Sequence, residues 1–136
     1  FMGFDNVLTS LGINGMKVFI RLEQQTFDVS DSIAGTIHLK AGQSDQKVNH
    51  IVLTMIEKYE NDDETSDFTT ISHELNRFEI DEAFIIDVGE EKEIPFHFHP
   101  DTLNFKSDKS HVYLNTHVYI DYGVDEETEA VIPYHR

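Results

Sequence analysis

From residue 17 onward, apolar side chains recur at every second position. Val18, Ile20 and Leu22 alternate with Phe19, Arg21 and Glu23, and Ile33, Gly35, Ile37 and Leu39 alternate with Ala34, Thr36, His38 and Lys40. A period of two is the mark of a half-buried strand, so these segments predict an antiparallel pair joined by the polar stretch 24–32. Residues 41–45 form a turn cluster, and 48–60 a long strand. That strand carries Ile51, Leu53, Met55 and Tyr59 on one face and Val52, Thr54 and Ile56 on the other, which predicts a central position. Residues 68–77 place Thr69, Ile71, His73 and Leu75 together. Phe78, Ile80, Phe84, Ile86 and Val88 then continue on even positions, with a bend or bulge expected at Glu82. Beyond a turn at 88–92, Ile94, Phe96 and Phe98 alternate with Pro95, His97 and His99. Pro95 and Pro100 place this strand at a sheet edge or limit its pairing. Residues 111–122 alternate most regularly: Val112, Leu114, Thr116, Val118, Ile120 and Tyr122 point inward, and His111, Tyr113, Asn115, His117, Tyr119 and Asp121 outward. An acidic turn over 123–129 precedes a short last strand, 130–134. About eight antiparallel strands with no helical period among them predict an all-β, immunoglobulin-like sandwich over residues 17–136, because a doubly wound sheet requires crossover helices.

Residues 2–16 read differently. Phe4, Val7, Leu8 and Leu11 fall on one face of a 3.6-residue period, Asp5 or Asn6 is placed to cap it, and Gly12 to Gly15 would stop it. The expectation is a short amphipathic helix, unstable alone, whose apolar stripe docks on its own domain, on a second copy or on a partner. Phe1, ahead of Met2, is read as foreign to the native start.

Composition narrows the function classes. There is no cysteine, which excludes disulfides, thiolate metal sites and a cysteine nucleophile. With 26 acidic and 10 basic residues the formal charge is −16. Such a surface repels nucleic-acid phosphates and anionic lipids and attracts basic protein faces. No apolar run has the length of a membrane span, and the start lacks the basic and apolar regions of a signal peptide. A cytoplasmic protein with no membrane insertion is the expectation.

Candidate chemistry is sparse. His97 and His99 sit two apart, on one strand face about 7 Å from each other, and would share a divalent metal only with a third ligand. His111, His117 and Asp121 are outward on another strand. Simple solvent-facing alternation accounts for the same pattern. The acidic runs 62–64 and 125–127 offer hard oxygens for calcium but lack EF-hand spacing. No nucleophile elbow, phosphate-binding loop, dinucleotide fingerprint or zincin motif occurs, so no catalytic residue and no cofactor are assigned and an enzyme is not expected. The outward aromatics Phe19, Tyr113 and Tyr119, the tyrosines flanking His117, are the candidates for partner contact, because tyrosine buries area with few rotors and keeps a polar end; a second layer or a helix covering that face accounts for the same pattern.

Four stretches taken in order carry a family resemblance: Met2-Gly3-Phe4 with residues 8–15, Leu-Thr-Ser-Leu-Gly-Ile-Asn-Gly; residues 27–42, from Phe-Asp-Val-Ser to His-Leu-Lys-Ala-Gly; residues 51–59 ahead of an acidic loop; and residues 89–100, ending Ile-Pro-Phe-His-Phe-His-Pro. Together they resemble the bacterial sporulation-control proteins, whose fold is similar to the arrestins. The family's usual Pro-Gly before the second strand is Val29-Ser30 here. The resemblance implies the N-terminal arrestin-like domain, without the second sandwich that follows in the family, and a non-enzymatic, regulatory adaptor or scaffold acting through protein partners, a second copy among them. The competing reading is a metal-dependent ligand-binding sandwich, with calcium at the acidic loops or zinc at the histidines.

Overall fold

The structure, a computed structural model, describes residues 10–11, 16–61, 65 and 69–135. Among these the chain forms eleven strands: β1 (Ser10–Leu11), β2 (Lys17–Leu22), β3 (Phe27–Asp28), β4 (Ile33–Lys40), β5 (Gln46–Glu60), β6 (Thr70–Ile80), β7 (Phe84–Ile86), β8 (Glu91–Phe98), β9 (His111–Asp121), β10 (Glu126–Ile132) and β11 (Tyr134–His135). Eight of them have three residues or more, and the described residues contain no helix. One sheet runs β1-β2-β4-β8. The other runs β10-β9-β5-β6, with β7 beside the first residues of β5. All pairings within these two sheets are antiparallel. The alternation that predicts the strands also fills the space between the sheets. Val18, Ile20, Ile37 and Leu39 from one sheet and Ile51, Leu53, Met55, Leu114 and Val118 from the other belong to a single buried cluster. β8 is an edge strand, the first of the two outcomes that Pro95 and Pro100 allow.

β5 is central, with β9 on one side and β6 and β7 on the other. Its inward phase changes along its length. Gln46 and Val48 are buried, then Ile51, Leu53, Met55 and Glu57. The register against β9 shifts between Val48 and His50, and that against β6 between Met55 and Ile56. Each shift is a bulge that turns an even inward phase into an odd one, or the reverse. The second bulge explains why β6 presents Leu75 on an odd position and Phe78 and Ile80 on even ones. The change falls at Leu75–Asn76; near Glu82 the chain simply leaves the ladder between β6 and β7.

Four sequence expectations need correction. β10 begins at Glu126, not 130, because Glu126 and Thr128 are buried in register with Ala130 and Ile132; polar inward residues hide the first half of the strand. Leu11 is not helical: Ser10 and Leu11 pair with Val18 and Lys17, where the edge of β2 satisfies backbone groups that a two-turn helix holds poorly. Phe4, Val7 and Leu8 lie outside the described residues. The stretch 24–32 is not all loop, since β3 pairs in parallel with β11, and the Phe27 amide donates to the Pro133 carbonyl at 2.9 Å. Phe27 and Phe105 flank the ring of Tyr134 there. Burial, then the charge of Asp31, pushes the Tyr134 hydroxyl up to about 12. Finally, Tyr122 does not face the core; it is fully exposed, with φ of 58°.

Glu57 is a carboxylate at a core position with no exposed side-chain area. It accepts hydrogen bonds from the amides of Lys106 (2.8 Å) and Ser107 (3.2 Å) and lies 2.5 Å from His73 Nε2 on β6. Ser110 also bonds it. A buried acid thus staples the β8–β9 connection to the middle of the larger sheet. Burial pushes its pKa up, but the Ser110 hydroxyl, the two amides and His73 together outweigh that and hold it below the ordinary 4.5. Ionised Glu57 therefore favours the fold above 4.5, and the contribution is lost as pH falls through the depressed value. Glu57→Gln is expected to cost about 1–3 kcal/mol at neutral pH, with the difference from the parent chain shrinking below pH 4.5; urea unfolding at pH 7 and pH 3.5 measures it, and an equal difference at both would contradict the staple. Gly35 supplies a second test. A Cβ there would lie 2.4 Å from the Arg21 carbonyl oxygen and 2.9 Å from Phe96 Cζ, so Gly35→Ala must displace backbone. A loss of about 1–3 kcal/mol in thermal or urea unfolding is expected.

Candidate interaction face

The outward side of β5, β9 and β10 carries a dense set of polar and aromatic contacts. Odd positions of β9 point away from the core, and the register against β5 sets His50 opposite Tyr119. Their rings stack at 4.2 Å, and Tyr119 stacks again at 4.2 Å on His117, two residues back on its own strand. The result is a three-ring ladder, His50–Tyr119–His117. At the other end of β9, the Lys58 ammonium lies 4.6 Å from the centre of the Tyr113 ring and 3.0 Å from Glu129.

Carboxylates border the ladder. His117 Nε2 is 3.0 Å from Asp125 and its Nδ1 is 3.6 Å from Glu127. Asn115 donates to Glu127 at 2.6 Å, and Asn49 to Asp121 at 3.2 Å. Asp125 also accepts the Ile120 amide at 2.8 Å, which closes the β9–β10 turn. Burial pushes the Asp125 carboxyl up, but the Ile120 amide and His117 outweigh it and hold it below its ordinary range.

The turn ends this face in an exposed ring. Tyr122 takes a left-handed φ that costs a non-glycine residue about 1–2 kcal/mol. With Ile85 it lines an open cavity of about 330 Å³, together with Asp45, Lys47 and Asp121. Ile85, Val88, Tyr122 and Val124 are each more than half exposed. Asp121 holds the one lysine of this cavity at 3.7 Å.

The structure thus brings Tyr113, Tyr119 and His117 onto one face, as their alternation predicts, and adds His50, Tyr122 and Asp125. His50 could be placed only with the bulge at Val48–His50 in hand. Tyr122 follows an unbroken inward alternation, and only the following Gly123 hints at a change of direction. His97 is on the exposed side of β8, in the other sheet, and His99, past the end of β8, bonds the Ser32 hydroxyl at 3.2 Å. The outward faces of the two sheets point apart, so His97 and His99 do not join His111, His117 or Asp121. Among the described residues no three histidine, aspartate or glutamate side chains are placed to share a metal ion. The run 62–64 lies outside the described residues. Among the described residues no helix is long and apolar enough to cross a membrane.

Comparison with known proteins places this geometry. A family model described as SpoOM protein matches residues 4–132. The sporulation-control protein spo0M of Bacillus subtilis (strain 168) is 31% identical over 98 residues, which is 70% of this chain and 36% of that protein. The crystal structure of Spo0M from Bacillus subtilis superposes with a TM-score of 0.77 at 24% identity, over 89% of this chain and 49% of that one. The fold is therefore the arrestin-like sandwich, and the chain spans about a third to a half of the lengths of these relatives. With a match over nearly its whole length, the chain belongs to the sporulation-control SpoOM protein family.

Proposed function

We propose that this chain is a regulatory interaction module, acting by binding protein partners rather than by turnover, and that its contact surface is the outward face of β9 from Tyr113 to Tyr122. The observation that carries the reading is Tyr122: a fully exposed tyrosine held in a left-handed conformation, beside exposed Ile85 and three residues after Tyr119 of the three-ring ladder. Strain kept at a solvent-facing aromatic points to a use outside the fold, and tyrosine is among the residues that dominate interface energies. The carboxylates of Asp121, Asp125, Glu127 and Glu129 are spaced along this face, so the favoured partner presents lysine or arginine around an apolar centre. The name of the Bacillus subtilis relative, sporulation-control protein, fits a module that regulates through contact. The absence of catalytic signatures from the sequence supports binding over turnover, and the acidic charge favours a cytoplasmic protein surface over nucleic acid or lipid as the partner.

Tyr122→Gly separates binding from folding. Glycine tolerates the positive φ, so this variant is expected to be more stable than the parent by about 1 kcal/mol. Partner retention from the extract of the host cell should fall by a factor of about 30, the equivalent of a 2 kcal/mol anchor, and added salt should weaken it further. Unchanged retention by the variant would move the contact surface elsewhere. Retention of no protein by the parent chain at low salt would remove the reading.

A further inference from the structure

The outward face of the other sheet holds a patch of opposite character. Lys17 on β2 and Lys40 on β4 are direct cross-strand neighbours, and like charges so placed destabilise a sheet. Among the described residues neither ammonium has an ion-pair partner within 4 Å. In a chain of formal charge −16, with carboxylates outnumbering bases by more than two to one, such a pair left facing each other is unexpected. The two lysines line a cavity of about 410 Å³. Its wall is flat: Phe19 and His38 stack at 4.6 Å with their planes 3° apart. Glu93 also lines it and is engaged by His38 Nδ1 at 3.2 Å, and the Lys92 ammonium lies over the Phe84 ring. Glu91 is the other carboxylate of the lining and sits opposite Lys40 in the register.

We infer that this cavity is a binding site for a small organic anion, whose phosphate or carboxylate group bridges Lys17 and Lys40 while its body rests against the Phe19–His38 wall. An oxyanion between two ammonium groups removes their mutual repulsion; with Lys92 turned to the Phe84 ring and Glu93 engaged by His38, Lys17 and Lys40 face Glu91 alone, which leaves the cavity locally positive. Its volume suits a small ligand. An extended acidic peptide would run past the lysines into the acidic remainder of the surface. The site is on the opposite sheet from the proposed contact face and stands independently of it.

Titration with inorganic pyrophosphate and with citrate, followed by calorimetry at constant ionic strength, tests the inference, since sodium chloride supplies the control for simple screening. Saturable binding of at least one of them is expected. The Lys17→Gln, Lys40→Gln double variant should lower its affinity at least tenfold with no loss of melting temperature, because the repulsion is gone too. Glu91→Gln should raise the affinity, and Lys109→Gln, in the β8–β9 connection, should leave it unchanged. Absence of saturable binding by both anions overturns the site, as does equal weakening by the distant Lys109→Gln. Binding confined to a short polyglutamate peptide would also overturn it, in favour of a protein partner.

Discussion

Burial on both sides of β5 is the constraint from which the rest of this sandwich follows. Fifteen residues of one strand must feed hydrogen bonds to β9 on one edge and to β6 and β7 on the other, while keeping an apolar row toward the opposing sheet. A strand of that length cannot hold one straight pleat against a twisted partner. The two register shifts absorb the mismatch, and each re-aims side chains. The first turns His50 outward to meet Tyr119; the second lets β6 hand its core contacts from Leu75 to Phe78. The position of the candidate face is thus a by-product of how the central strand is accommodated.

The same strand carries the one fully buried carboxylate among its core positions. Glu57 occupies a place where the row Ile51, Leu53, Met55 predicts another apolar residue, and it is tolerated because four groups donate to it. A buried acid with so many donors is strongly directional, in contrast to the hydrophobic contacts around it. It fixes where residues 106–110 cross the sheet, and so fixes the start of β9, on which Tyr113, His117 and Tyr119 depend.

Much of this was legible in the sequence, for a physical reason: alternation directly encodes which side chains meet the opposing sheet. The faces of β2, β4, β8 and β9 and the central place of β5 follow from it, and Pro95 and Pro100 point to the edge place of β8. Legibility ended where polarity and burial part company. Glu126 and Thr128 are polar yet inward, so half of β10 read as a turn. Tyr122 is aromatic yet outward, because a change of φ sign ends the strand one residue early, and no hydrophobic pattern reports a dihedral angle. Ser10 and Leu11 show the competing case: where the spacing predicts helix, the backbone of these two residues pairs with the open edge of β2. The resemblance to sporulation-control proteins rested on order and spacing of several weak stretches, and the match over residues 4–132 reflects that distribution.

The pairing of β3 with β11 joins residues more than a hundred positions apart through two residues on each strand. Loop-closure entropy makes a contact of that span among the last to form, and its few hydrogen bonds make it among the first to open. It closes one end of the core through Phe27, Tyr134 and Phe105, so the burial of three aromatic rings depends on the smallest sheet of the fold.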